Sequence, residues 1–245
     1  MRRVIGSVAA LAAVSAAVAG CTLDDSGAVA TVAGADLQSD VAERLTSAGE
    51  QPQSVTCKDD LVGEVGQTAR CVVVMSPTNS FEPVVTVTGV DGATIDYEMT
   101  PALSEEQLER AVARLVSITG GAPSDSVSCL SGLMGVIGAV PNCDVTTAGV
   151  TMRRTAAVTS VEGLMMNFDL NPVLTTTEVE VSLLDALAAH LARRPDSAEC
   201  AGNLEGRPGA TVDCTVVVGP DSAAFILTVT AVDGTKIDYS YAPRV

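Results

Sequence analysis

The chain has 245 residues, 47% of them hydrophobic and 18% charged, with a net charge of −16 from 14 Lys and Arg against 30 Asp and Glu. The composition is that of a globular protein, and a charge of this sign repels phosphate backbones, which excludes a nucleic-acid-binding role. No Trp, three Tyr, three Phe and a single His leave few groups for acid/base chemistry or for stacking on sugars and bases.

The chain opens with Met1-Arg2-Arg3, then runs uncharged from Val4 to Val18. That run is too short for a membrane-spanning helix, which needs about 20 apolar residues, and has the form of a secretory signal peptide over residues 1–20. It closes on Val18-Ala19-Gly20-Cys21, which resembles the bacterial lipobox. The resemblance implies cleavage before Cys21, a diacylglyceryl group on its sulfur, and a further acyl chain such as palmitate on the new amino terminus. Two acyl chains anchor stably without help from basic residues, and none lies near Cys21, where Asp24 and Asp25 follow instead. Residues 22–36 are small and unpatterned, so 21–36 reads as the lipidated cysteine and a flexible tether, roughly 20 Å root-mean-square for a coil of this length.

Six further cysteines stand at 57, 71, 129, 143, 200 and 214, in pairs whose members are always 14 apart. The first members are 72 and 71 apart. A regular period with identical local spacing favours the pairs Cys57–Cys71, Cys129–Cys143 and Cys200–Cys214, and an exported chain meets an oxidising compartment. Free thiols or a zinc site are the alternatives; no C-x-x-C occurs and His190 is the sole histidine, which disfavours zinc. Leu61, Leu133 and Leu204, and the glycines 63, 135, 206 and 66, 138, 209, keep the same step. So do Val87 to Gly92, Val158 to Gly163 and Val229 to Gly234, and each unit closes on a proline at 101, 172 or 243. The repeats divide as 37–101, 102–172 (the divergent one) and 173–245.

Each repeat opens with a helical pattern: Leu37, Val41, Leu45 and Ala48; Leu108, Ala111, Val112 and Leu115 behind a capping box at Ser104-Glu105-Glu106-Gln107; and Val181, Leu184, Leu187, Ala188 and Leu191 with Arg193 and Arg194 at the end. Four strands follow, two bearing the cysteines, with Asp91-Gly92 and Asp233-Gly234 as hairpin signals. The expected class is α+β: three small two-layer units, each one helix on an antiparallel four-stranded sheet with an internal disulfide. A unit of about 65 residues buries only about 60% of its chain surface, so a bridge worth roughly 3 kcal/mol carries weight.

The run Val55-x-Cys57-x-x-x-Leu61-x-Gly63-x-x-Gly66-x-x-x-x-Cys71, followed by Val87-x-x-Val90-Asp91-Gly92, resembles a small Cys-paired domain of unknown function that recurs in actinobacterial exported proteins and lipoproteins. The resemblance covers nearly all of 37–243 as tandem copies. The second copy departs, with Glu162 for Asp and Met166-Asn167-Phe168 for Ile-Asp-Tyr. It implies an address and a domain plan but no catalytic residues.

Candidate chemistry is sparse. His190 has no G-x-S-x-G elbow and no second histidine to work with. Asp59-Asp60, Glu105-Glu106 and the pair of Asp96 and Asp238 read as solvated acids rather than catalytic carboxylates, and Asp24-Asp25 lacks the loop of a calcium site. The repeat glycines read as turns inside the disulfide loops, not a phosphate cradle. Arg153-Arg154 and Arg193-Arg194 read as solvated or helix-end charges. Tyr97, Phe168 and Tyr239 share one repeat position and read as sheet-face packing, with a ligand groove as the alternative. The expectation is a non-enzymatic protein on the extracytoplasmic face of the cell membrane, held by Cys21 and displaying three domains to an envelope protein or glycan, with no cofactor or metal; nothing in the sequence sets an oligomeric state. The alternatives are an inhibitor of an extracytoplasmic enzyme and a carrier of a lipid or small apolar ligand, although units this small leave little room for a pocket of about 300 Å³ or more.

Overall fold

A computed structural model describes residues 4–5, 29–120, 123–191 and 193–244. Cys21 and most of the leader lie outside the described residues. Among the described residues no helix is long and apolar enough to cross a membrane. The described residues mix three helices with mostly antiparallel sheets and three disulfides, in recurring units. The chain forms two compact units, one running to Leu103 with the hairpin tip Val161–Met165, the other made of 104–160 and 166–245.

The first unit contains helix α1 (Gly34–Ser47), whose Leu37, Val41 and Leu45 recur every fourth residue and are fully buried. They meet Val73, Val85, Val87 and Ile95 from one sheet. Strands Ser54–Cys57, Thr68–Ser76, Val84–Asp91 and Thr94–Thr100 lie side by side in that order, and Val4–Ile5 adds to the far edge against Thr94 and Ile95. The third strand is interrupted: Asn79–Phe81 pairs separately with Thr68–Ser76, because Pro83 has no N–H for the ladder. Residues 31–36 correct the expected tether. Thr31–Val32 is a strand against Leu61–Val62, and Gly34 to Asp36 begin α1, since Val32 is buried in the core and the Gly34 N–H is held by Asp60 at 2.8 Å.

The second unit holds α2 (Glu105–Gly120) and α3 (Thr176–Leu191). A five-stranded sheet runs in the order Ser126–Cys129, Asn142–Thr147, Val150–Glu162, Met165–Leu174, Leu204–Glu205. A four-stranded sheet orders Ser197–Cys200, Thr211–Val218, Asp221–Asp233 and Lys236–Pro243. The strand Met165–Leu174 closes the second repeat and continues into the third, where Val173 and Leu174 pair with Glu205 and Leu204. The α2 capping box forms: Ser104 N–H donates to Gln107 Oε1 at 2.9 Å, and Gln107 N–H to Ser104 Oγ at 3.3 Å. The α3 stripe differs from the sequence reading. Val179, Leu183 and Leu187 face the core, while Val181 is 47% and Leu191 52% exposed. Ala, Val and Leu surround this helix, so apolar spacing alone does not set its rotation.

The hairpin loops fall one residue later than the dipeptide signals. Asp91 pairs with Thr94 and Asp233 with Lys236, so the loops are Gly92-Ala93 and Gly234-Thr235. Glycine at φ +59° in the first loop position is the II′ arrangement, which suits the twist of the strands.

Candidate functional site

The structure pairs Cys57 with Cys71, Cys129 with Cys143 and Cys200 with Cys214. Each pair is a directly opposed register position between the first two long strands of its repeat. Inside each bridged loop, Gly66, Gly138 and Gly209 take φ near +90° (+89°, +92° and +86°), which only glycine adopts freely. Gly63 and Gly206 are needed for space: a Cβ there would stand 2.7 Å from the Ala30 oxygen and 2.8 Å from the Pro172 oxygen, respectively.

The acids singled out in the sequence are structural where they are engaged. Asp60 caps α1 and Asn203, at the same place in the third repeat, caps α3 through the Thr176 N–H at 2.9 Å. Glu106 sits 3.7 Å from Arg110, and Asp238 2.7 Å from Lys236. Arg193 pairs with Asp196 and Arg194 with Asp185. His190 is exposed at the end of α3, its ring edge-on to Tyr241 at 6.4 Å. Among the described residues no group of three or more His, Cys, Asp and Glu could hold a metal ion.

The position shared by Tyr97, Phe168 and Tyr239 splits in role. Tyr97 donates its hydroxyl to Asp40 of α1 at 2.8 Å, and the Tyr239 hydroxyl bonds Ser182 of α3 at 2.7 Å. Burial, and for Tyr97 the bond to Asp40, hold both phenols above the usual range. In the second repeat the same two places hold Phe168 and Ala111, which cannot form this hydroxyl bond, although α2 still holds its sheet through Glu109, whose Oε1 accepts from the Cys129 N–H at 3.0 Å.

There a cavity opens. It measures about 530 Å³ and is bounded by Leu115, Val116 and Thr119 of α2, by residues 168–171 of the last strand, by Arg154, and by the Gly234-Thr235 hairpin tip of the third repeat. A counterpart of about 430 Å³ in the first unit lies between Leu45 of α1 and Ala48 just past its end, Met99 of the last strand, and the Gly163-Leu164 tip. Leu45 and Val116, Ala48 and Thr119, Met99 and Leu170, Gly163 and Gly234 are each 71 residues apart. The recurring notch is therefore built from helix, last strand and the hairpin tip one repeat on. Both volumes exceed the room expected for units of this size, because that expectation counted one repeat alone and the wall comes from the next.

Arg154 corrects the reading of Arg153-Arg154 as surface charges. Arg153 is bound by Asp144, with Nε to Oδ1 at 2.8 Å and Nη2 to Oδ2 at 2.9 Å, and this pair holds the Asp144 carboxyl below its usual range. The Arg154 side chain is half-buried and makes no hydrogen bond or ion pair with any described residue; its Nε is buried without a partner. It stands opposite Cys143, which is 1% exposed, so its side chain leaves the strand on the core face. In the third repeat that place opposite Cys214 holds Phe225. Desolvation pushes the Arg154 guanidinium below its usual range, and it stays charged at neutral pH. Glu205 lies in the same unit and ties the second repeat to the third: its Oε1 accepts from Thr155 Oγ1 at 2.8 Å and Asn171 Nδ2 at 3.1 Å.

A second feature escaped the sequence reading. The loop between Cys129 and Cys143 carries no charge. Leu130 and Ile137 are 72% exposed, and Val136 is 55% exposed. The corresponding places in the first repeat hold Lys58, Val65 and Glu64.

Fold and site together define a tandem-repeat protein of mixed helix and sheet in which each repeat is closed by its own disulfide. The chain belongs to the family described as Domain of unknown function (DUF4333), whose model matches residues 16–92 and again residues 164–234. Most of the second repeat, Arg154 included, lies between the two matches. No curated protein and no solved structure matches the chain.

Proposed function

We propose that this chain is an exported, lipid-anchored envelope protein without enzymatic activity, which binds a partner through its second repeat while Cys21 holds it to the extracytoplasmic face of the membrane. The observation that carries the reading is the apolar display of Leu130, Val136 and Ile137 on a loop closed by the Cys129–Cys143 bridge. A rigid loop loses little conformational freedom on binding, and large exposed apolar side chains on one short loop are an interaction surface rather than ordinary exterior. Export is supported by three disulfides, which persist in oxidising compartments, and by the leader that ends on Cys21. The finer architecture we propose is one helix layered on one antiparallel sheet, three times over. If the leader is removed, the strand Val4–Ile5 goes with it and the outer edge of Thr94–Thr100 is left open.

The test is photo-crosslinking in the native host, with the reactive residue at position 137 and a control at 58. A discrete adduct from the membrane fraction at 137 and none at 58, together with release of the chain into the soluble fraction by Cys21→Ser, supports the reading. Equal labelling at the two positions, or membrane association unaltered by Cys21→Ser, overturns it.

A further inference from the structure

We propose that the notch at Arg154 is a binding site for a single-chain monoanionic amphiphile, the guanidinium taking the carboxylate head and the apolar wall of α2 and the last strand taking the tail. This rests on geometry apart from the exposed loop of the proposed function and goes beyond it.

Arg154 occupies a core-facing sheet position, opposite Cys143, where the third repeat has Phe225. A charge at such a place is costly unless something completes it. Nothing in the described chain does: Nε is buried and unpartnered, in a protein with 30 Asp and Glu and with Arg153 beside it fully engaged. The cation opens onto a cavity of about 530 Å³, within the range of small-molecule sites. Leu115, Val116, Phe168 and Leu170 line it and offer no donor or acceptor from their side chains. A planar guanidinium with free N–H groups beside an apolar wall is matched by a carboxylate on a hydrocarbon chain.

The sign and number of charges narrow the class. One cation faces the notch, and Asp169, an exposed acid, is also on its lining. A monoanion is favoured over a dianionic phosphate, which would meet Asp169 and a strongly negative protein with only one guanidinium to offset them. The notch of the first unit is an internal control. Its frame is the same, but Arg44 there is tied to Asp40 at 3.2 Å, and Pro83 stands across from Cys71 where Arg154 stands across from Cys143.

The experiment titrates the full chain carrying Cys21→Ser, which removes the acylated thiol, with dodecanoate by calorimetry. The Arg Nε–H resonance of Arg154 is followed in parallel by NMR. Saturable binding with one dodecanoate per chain is expected, moving the Arg154 resonance. Arg154→Met should weaken it by about tenfold or more, while Arg44→Met leaves it within about twofold. Arg154→Lys, which keeps the charge, should retain part of the affinity and guards against a folding defect in the methionine variant. Dodecyltrimethylammonium should not compete. Absence of saturable binding, binding unchanged by Arg154→Met, or equal binding of the cationic amphiphile overturns the proposal. None of those outcomes alters the crosslinking result at position 137, so the two readings fail separately.

Discussion

Replacing Arg154 by methionine should make the protein more stable, an unusual direction for a substitution at a core-facing position. A buried donor left without an acceptor costs about 1–3 kcal/mol. Arg154 is half-buried, so part of its guanidinium keeps its water and the lower end applies. Methionine retains an unbranched stem of similar reach and brings no polar atom, so the packing of the stem is preserved. The net expectation is a gain of about 1 kcal/mol, read as a higher urea midpoint at unchanged slope. Arg153→Met is the matched control. It breaks the pair with Asp144, whose side chains are 33% and 38% exposed, and an exposed pair is worth under about 1 kcal/mol. The two adjacent arginines should therefore shift the midpoint in opposite directions. Dodecanoate should raise the midpoint of the parent and not that of Arg154→Met, since a ligand stabilises only the state that binds it. A loss of about 1 kcal/mol on Arg154→Met would refute the reasoning, because it would mean that the guanidinium is already satisfied in the folded chain.

Removing the bridge of the second repeat by replacing Cys129 and Cys143 with alanine should cost roughly 3 kcal/mol, from the loop entropy returned to the unfolded chain, and urea unfolding with an unmoved midpoint would contradict this. Glu205→Ala should cost about 1–3 kcal/mol, because it strands the Thr155 hydroxyl in a residue only 7% exposed, whereas Glu205→Gln keeps the accepting oxygen and should cost little; thermal unfolding distinguishes them. Tyr97 and Tyr239 should ionise above the ordinary phenol value of about 10, so their tyrosinate absorbance should rise late in an alkaline titration. Their folded values are raised, so the stability they contribute is whole below the ordinary value and is lost as pH climbs beyond it. Tyr97→Phe should flatten that alkaline loss, and ionisation of both Tyr97 and Tyr239 at the ordinary phenol value would contradict the two latches.

The cysteine period was legible because a disulfide between directly opposed strand positions fixes local spacing, and Cys57–Cys71 then sets the register of Ser54–Cys57 on Thr68–Ser76. The α1 stripe was legible because polar residues separate Leu37, Val41 and Leu45. On α3 they do not, and the buried face turned out to be Val179, Leu183 and Leu187. Thr31–Val32 was hidden because two residues carry no periodicity; its partner is Leu61–Val62, across the helix. The notch was hidden for a deeper reason: Gly163 and Gly234 belong to the repeat after the one whose helix they face. Arg154 carries a signal in the repeat pattern. Counting strand alternation outward from Cys143 and Cys214 places Arg154 and Phe225 on the same inward face, and a lone arginine in that series breaks the local pattern in the way functional positions do. The apolar residues between Cys129 and Cys143 were likewise visible as an uncharged loop, but only the structure shows that Leu130, Val136 and Ile137 face water while Leu133 is buried.

The most direct test of the account is a non-reducing peptide map, by mass spectrometry, of the protein recovered from membranes of its native host. The account predicts an amino-terminal peptide beginning at Cys21 with a diacylglyceryl group on sulfur, and three linked pairs confined to their own repeats, 57 with 71, 129 with 143 and 200 with 214. An unmodified residue 21, a bridge joining two different repeats, or thiols left free in the recovered chain would contradict it.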